Sequence, residues 1–305
     1  MAQYEILIVG GGPAGYTAAL YAARSGRKTA VVEKLSPGGQ MATTSTIDNY
    51  PGFPDGVDGF ELGEKMEQQA RKYGAETIYA EVTGANLTAV PKVLHTSEGD
   101  FTADAVILAT GAYPRELGLP GESELRGRGV AYCAACDGMG YRGKVVAVNG
   151  GGNTAVEDAL YLSKLCKKVY LIHRRDSLRA SAVYHKALEE AGVEIIWNSR
   201  VTALRKEKRL TGIELENVVT GAKTELACDG LFVAVGRVPD TSLFAGQITT
   251  DKSGYLTADE SCRTNVPGVF AAGDVRTKAL RQVITAAADG ANAAHWAEEY
   301  LLKQV

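Results

Sequence analysis

The chain has 305 residues, 45% hydrophobic and 23% charged, with a formal net charge of −3. This is the composition of a globular protein long enough for two domains, and its slight acidity gives no electrostatic case for nucleic acid or an anionic membrane as partner. The start, Met1-Ala2-Gln3-Tyr4-Glu5, lacks a basic stretch leading into a cleavable apolar segment, and no run of about 18 apolar residues occurs, so neither an export signal nor a membrane span is expected. Five cysteines without an export signal point to a reducing, cytoplasmic setting, where a close pair is catalytic or metal-binding rather than a staple.

In chain order, Tyr4-Glu5-Ile6-Leu7-Ile8-Val9 is a short apolar run bounded by glycine, the pattern of a strand buried on both faces. Gly10-Gly11-Gly12-Pro13-Ala14-Gly15 follows and fits GxGxxG, and Tyr16 to Arg24 reads as an Ala-rich helix. The glycines allow a tight turn and let backbone N–H groups approach a pyrophosphate at the helix N-terminus. Thr29 to Val32 is the next strand. Glu33 at its end puts a carboxylate where a ribose hydroxyl would lie. Without its strand, helix and acid the motif would be only a glycine-rich turn. With them it is a dinucleotide site.

Phe101 to Ala109 reads as a strand ending in Thr110-Gly111, and Ala112-Tyr113-Pro114-Arg115 as a proline-bearing linker. Next comes Cys133-Ala134-Ala135-Cys136-Asp137. Two thiols at this spacing can close a small, reducible disulfide, and a helix begun by the second thiol would stabilise its thiolate. Asp137 is placed to pass protons to a leaving thiolate. A structural zinc site needs four ligands, but Cys166, Cys228 and Cys262 are scattered singly, and His95, His173, His185 and His295 show no ligand spacing, so no metal is expected. The lone cysteines read as buried small hydrophobes.

The nucleotide pattern then recurs. Lys144 to Val148 is a buried strand, Gly150-Gly151-Gly152-Asn153-Thr154-Ala155 a second loop with alanine at the third glycine position, Val156 to Leu165 a helix, and Val169 to Ile172 a strand. The residue at the offset of Glu33 is His173, followed by Arg174 and Arg175, with Arg179 close enough to join them. Cations in place of an acid favour a ligand with a 2′-phosphate, although a run of arginines is more often just a solvated face. The first site suits a free 2′-hydroxyl and the second NADPH, so the natural pair of cofactors is FAD and NADPH. Leu231 to Val235, ending in Gly236-Arg237, closes the second unit as Phe101 to Gly111 closes the first. After a linker near Val238-Pro239-Asp240, Val269 to Asp274 is a strand ending in a glycine and an acid, and Arg281 to about Leu302 a long helix. The expected fold is α/β: two Rossmann-like, three-layer dinucleotide-binding domains, the NADPH domain (114–243, carrying the CxxC) inserted into a discontinuous FAD domain (1–113 and 244–305).

These residues resemble the low-molecular-weight, bacterial-type thioredoxin reductases over essentially the whole chain. The resemblance rests on both glycine loops, Gly38-Gly39-Gln40, Asn49-Tyr50-Pro51-Gly52-Phe53-Pro54, Ala109-Thr110-Gly111, Cys133 to Gly138, His173 to Ala180, and Gly273-Asp274-Val275 with Arg281-Gln282, all in order. It implies FAD held by Gly10, Gly12, Pro13, Ala14, Gly15, Glu33, Gly39, Gln40, Thr43, Asn49, Ala109, Thr110, Gly111, Gly273, Asp274, Arg281 and Gln282. It implies NADPH held by Gly150, Gly152, Asn153, Thr154, Ala155, His173, Arg174, Arg175 and Arg179. It further implies a homodimer, an inserted domain that rotates, Cys136 nearer the flavin, Cys133 attacking oxidised thioredoxin, and Asp137 supplying a proton.

The family usually carries two aromatic residues where this chain has Met139 and Gly140, and an aliphatic residue where it has Asn149, so the packing of the Met139 loop is expected to differ. Four functions compete. They are thioredoxin reduction; reduction of another small redox protein, or use of a donor other than NADPH; a flavoprotein without disulfide chemistry; and a nucleotide-sensing binding protein. The third and fourth have no use for Cys133 and Cys136, and a non-NADPH donor has none for the arginines.

Overall fold

The computed structural model describes residues 2–44, 46–178, 180 and 183–304. The chain divides into two compact units, Met1–Tyr113 with Val238–Val305, and Pro114–Arg237. Residues 238–243, assigned on sequence to the inserted domain, thus belong with the first unit. Thr110 Oγ1 donates to Asp240 O at 2.6 Å and Asp240 N to Gly111 O at 3.1 Å, fastening that segment there.

The first unit opens with the strand Ala2–Val9, then helix α1 (Pro13–Arg24), strand Thr29–Glu33 and helix α2 (Gly59–Lys72). Strands Glu76–Tyr79, Val82–Asn86, Lys92–Thr96 and Gly99–Leu108 follow. Ala2–Val9 lies centrally, parallel to Thr29–Glu33 and to Gly99–Leu108, with Ile8 facing Val31 and Ile107 in register. Ile6, Ile8, Val31 and Ile107 are fully buried, as a continuous apolar run covered on both faces requires. Burial of each such side chain contributes about 1.5–3 kcal/mol.

The second unit carries, in order, the short strand Val130–Ala131, helix α3 (Ala134–Asp137), the strand Val145–Asn149, helix α4 (Asn153–Ser163), the strand Lys168–Ile172 and helix α5 (Val183–Glu190). Its five-stranded parallel sheet has Val145–Asn149 between Lys168–Ile172 and Gly230–Val233, again with the glycine-loop strand at the centre. A three-stranded antiparallel sheet, Ser199–Lys206, Leu210–Asn217 and Lys223–Ala227, accompanies it. The chain then returns to the first unit. Val269–Ala271 pairs in parallel with Gly99–Leu108, and helix α6 (Val283–Leu302) packs against α1. Their approach depends on small residues: a Cβ on Gly290 would lie 2.2 Å from Ala14 O. No helix among the described residues is long and apolar enough to cross a membrane.

Candidate functional site

In the first unit, Gly10 has φ +102°, and a Cβ there would lie 2.5 Å from Ala109 O. Both demands select glycine. A Cβ on Gly15 would lie 1.8 Å from Gly10 O, so α1 reaches the loop only because position 15 has no side chain. Gly12, by contrast, faces open space: a Cβ there meets nothing within 4 Å. Glu33 reaches back to the loop. Its Oε2 accepts from Gly11 N at 2.6 Å and its Oε1 from Leu35 N at 3.0 Å. An ionised carboxylate has about four lone-pair sites, so two remain for ribose hydroxyls.

Other candidates from distant parts of the sequence gather around this loop. Gly38 N donates to Gly11 O at 2.8 Å, and a Cβ on Gly39 would lie 3.3 Å from Gly12 Cα. Thr43 Oγ1 donates to Gln40 O at 2.9 Å, closing the 3-10 turn Gly39–Thr43. A Cβ on Gly273 would lie 2.9 Å from Ala14 Cβ, which brings the turn carrying Asp274 against the start of α1. Asn49 Nδ2 donates to Gln282 Oε1 at 3.0 Å, and Gln282 caps α6. Arg281 lies 4.0 Å over the Tyr255 ring, and its buried Nε has no hydrogen-bond partner among the described residues. An open backbone cradle, an anchored acid and, near α6, a buried donor without an acceptor among the described residues fit a dinucleotide. The helix there starts at Val283, with Gln282 as its cap, rather than at Arg281.

The second unit repeats the geometry. A Cβ on Gly150 would lie 2.4 Å from Ala234 O, the counterpart of Gly10 and Ala109, and Gly152 is open like Gly12. Asn153, Thr154 and Ala155 form the first turn of α4. His173 occupies the place of Glu33. It is 5% exposed, its ring packs edge-on to Trp197 at 6.3 Å, and a Cβ on Gly151 would collide with that ring. Arg174 and Arg175 are exposed beside it. Arg179 lies outside the described residues.

Cys133 and Cys136 form a disulfide, with Cα atoms 5.3 Å apart. Cys133 is the N-cap of α3, so the helix begins one residue after the first thiol and Cys136 lies within it rather than opening it. Asp137 N donates to Cys133 O at 3.0 Å. Burial pushes the Asp137 carboxyl up from 3.8 to about 6, against the opposing pull of the Arg126 guanidinium. That makes Asp137 an acid able to hold a proton near neutrality. The helix is pinned from behind: Ala134 is 1% exposed, and a Cβ on Gly138 would lie 2.9 Å from Tyr161 Cε1 of α4. Met139 is 44% exposed, whereas Tyr141 in the same turn is 5% exposed.

Two supporting residues carry no sequence motif. Glu122, 2% exposed, accepts from Leu117 N at 3.0 Å, Gly118 N at 2.8 Å and Tyr132 Oη at 2.8 Å. It thereby ties the residue before Cys133 to a loop. Asp158 of α4 has its carboxyl pushed up to about 7 by burial and by Glu157, against Arg237 and a hydrogen bond with the Ala134 backbone. Only its position within α4, opposite α3, distinguishes it. Burial raises the thiols of Cys166 to about 11 and of Cys228 and Cys262 to about 12, which keeps them protonated and inert.

Residues 4–290 match the family described as pyridine nucleotide-disulphide oxidoreductase. The chain is 46% identical over 300 residues to the thioredoxin reductase of Treponema pallidum (strain Nichols), covering 98% of this chain and 97% of that protein. It is 44% identical over 305 residues to that of Peptoclostridium acidaminophilum, with the same coverage. The crystal structure of thioredoxin reductase from Streptococcus pyogenes MGAS5005 superposes with a TM-score of 0.91 at 43% identity, covering 99% of each chain.

Proposed function

The chain belongs to the thioredoxin reductases within the pyridine nucleotide-disulphide oxidoreductase family, and on that premise we propose that it reduces oxidised thioredoxin with electrons from NADPH, relayed by FAD and the Cys133–Cys136 disulfide. The observation that carries this reading is that disulfide, set beside a carboxyl poised to hold a proton, in the same unit as the second glycine loop. When bound, the nicotinamide supplies two electrons and the flavin passes them on as a pair.

Within the first unit, the Gly10–Gly15 loop, Gly39, Gln40, Thr43, Asn49, Ala109, Thr110, Gly111, Gly273, Asp274, Arg281 and Gln282 hold the FAD. Glu33 takes its ribose hydroxyls. Within the second, the Gly150–Ala155 loop takes the pyrophosphate of NADPH, and His173, Arg174, Arg175 and Arg179 its 2′-phosphate. A carboxylate at position 173 would repel that phosphate, whereas guanidinium groups bind it bidentately.

Once the disulfide is reduced, Asp137 holds the proton that its raised affinity allows it to keep. The Cys133 thiolate attacks one sulfur of the thioredoxin disulfide; a mixed disulfide forms and the other thioredoxin sulfur leaves as a thiolate. Cys136 then attacks the Cys133 sulfur and displaces the second thioredoxin sulfur, restoring the Cys133–Cys136 bond; the two thioredoxin thiolates take up one proton from Asp137 and one from water and leave as the dithiol. The protein acts in the cytoplasm as a homodimer.

The test is NADPH-dependent reduction of oxidised thioredoxin by wild type and Cys133→Ser. The substitution should abolish turnover while leaving NADPH able to bleach the flavin. Turnover that survives it, or that does not depend on NADPH, refutes the reading. Reduction of a different small redox protein in preference to thioredoxin would favour the alternative acceptor.

A further inference from the structure

A buried ion triad under the Gly273–Val275 turn has no part in the disulfide chemistry. Asp289 of α6 is 4% exposed and Arg276 3%. Arg276 Nη2 donates to Asp289 Oδ1 at 2.7 Å and Nε to Oδ2 at 2.9 Å, a two-pronged pairing. Lys278 Nζ donates to the same Oδ2 at 2.7 Å, and its side chain is 6% exposed. Gly273 N donates to that oxygen as well, at 2.9 Å. Lys278 Nζ also donates to Thr285 O at 3.1 Å, and Thr285 forms the capping box of α6 with Gln282. The triad therefore ties the Gly273 turn to the first turn of α6, the two segments assigned above to the flavin.

Its charges do not cancel. Two cations share one carboxylate. Glu260 comes only to 3.9 Å from Arg276, and its side chain is 93% exposed, so water and salt screen it. A surplus charge inside a protein costs free energy, and it acts strongly on any charge that develops nearby in the same dry surroundings. Fully reduced flavin is such a charge, an anion near neutral pH.

We propose that Asp289 and Arg276 position the Gly273–Asp274 turn for the flavin, and that the surplus charge carried by Lys278 favours the flavin's reduced form. The inference rests on the FAD assignment above. Asp289→Asn is the obvious variant, but it strands two buried cations and endangers folding. Lys278→Met is the deciding one. It leaves Asp289 bonded through both oxygens to Arg276 and to Gly273 N, so no buried carboxylate loses all its partners.

The measurement is the flavin midpoint potential of the holoprotein, titrated anaerobically with dithionite, the electron donor, against a reference dye, together with the flavin-to-protein ratio. Lys278→Met should keep its flavin and lower the equilibrium constant for reduction about tenfold, a fall of about 30 mV for a two-electron couple. Asp289→Asn, where it folds, should move the potential the other way. An unchanged or raised potential in Lys278→Met, with flavin retained, overturns the inference. A wild-type protein that binds no flavin overturns instead the assignment on which it rests.

Discussion

Replacing Asp137 with asparagine should change stability and turnover in opposite directions, and the change in stability should depend on pH. The carboxyl ordinarily titrates at 3.8 and in the folded protein at about 6. Desolvation is the main cause, so the folded state favours the protonated form. The carboxyl therefore costs nothing at pH values where folded and unfolded chains both hold the proton. The cost grows as pH rises from about 4 through about 6 and is then constant. At about 1.4 kcal/mol per pH unit the full cost is about 3 kcal/mol, an upper bound because the group keeps some contact with water. Asparagine removes it. The advantage of Asp137→Asn should thus grow from about 1 kcal/mol at pH 4.5 to about 3 kcal/mol at pH 7.5. At about 2–4 °C per kcal/mol, the gap in unfolding midpoint between variant and wild type widens by about 4–8 °C over that range. Calorimetry of the two proteins at four pH values reads this directly. Turnover with thioredoxin should fall about a hundredfold or more, the usual loss when a positioned acid is removed. A stability difference that is flat between pH 4.5 and 7.5 would refute the reasoning, because it would place the proton elsewhere.

Arg175→Ala should raise the KM for NADPH about 10- to 100-fold, the worth of a charge-assisted contact, and leave that for NADH nearly unchanged. Equal effects on the two would mean that the arginine does not read the 2′-phosphate. Gly15→Ala would place a methyl 1.8 Å from Gly10 O. It should cost at least about 3 kcal/mol, the upper part of the range for overpacking, and should empty the protein of flavin, as absorbance at fixed protein concentration would show. A Gly15→Ala protein that melts like wild type with its full flavin complement would mean that α1 does not depend on that close approach.

Much of this architecture was legible in the sequence because it rests on local rules. Strand, glycine loop and helix each leave a short signature, which occurs twice, at Gly10–Gly15 and Gly150–Ala155, with the acid only in the first copy. The exchange of Glu33 for His173 was visible as a difference at one offset, and the structure sets both residues against the second glycine of their loops. Boundaries were less legible. Cys133 rather than Cys136 marks the start of α3, because a four-residue helix has too little periodicity to read. The antiparallel strands from Ser199 to Ala227 mix charged and apolar residues and break register at bulges, which blurs the alternation. Glu122, Asp158 and the Arg276–Lys278–Asp289 triad stayed hidden for another reason. Their partners are backbone groups, or side chains brought close only by the turn of a loop or the packing of a helix, and no spacing in the sequence encodes that.

Nicotinamide, flavin and disulfide should work in series, and an anaerobic titration of the purified protein with NADPH reads this out. The flavin and the Cys133–Cys136 disulfide each take two electrons, so uptake should reach twice the NADPH that the flavin alone can hold. Uptake matching the flavin alone would contradict it, because the disulfide would then stand outside the electron path.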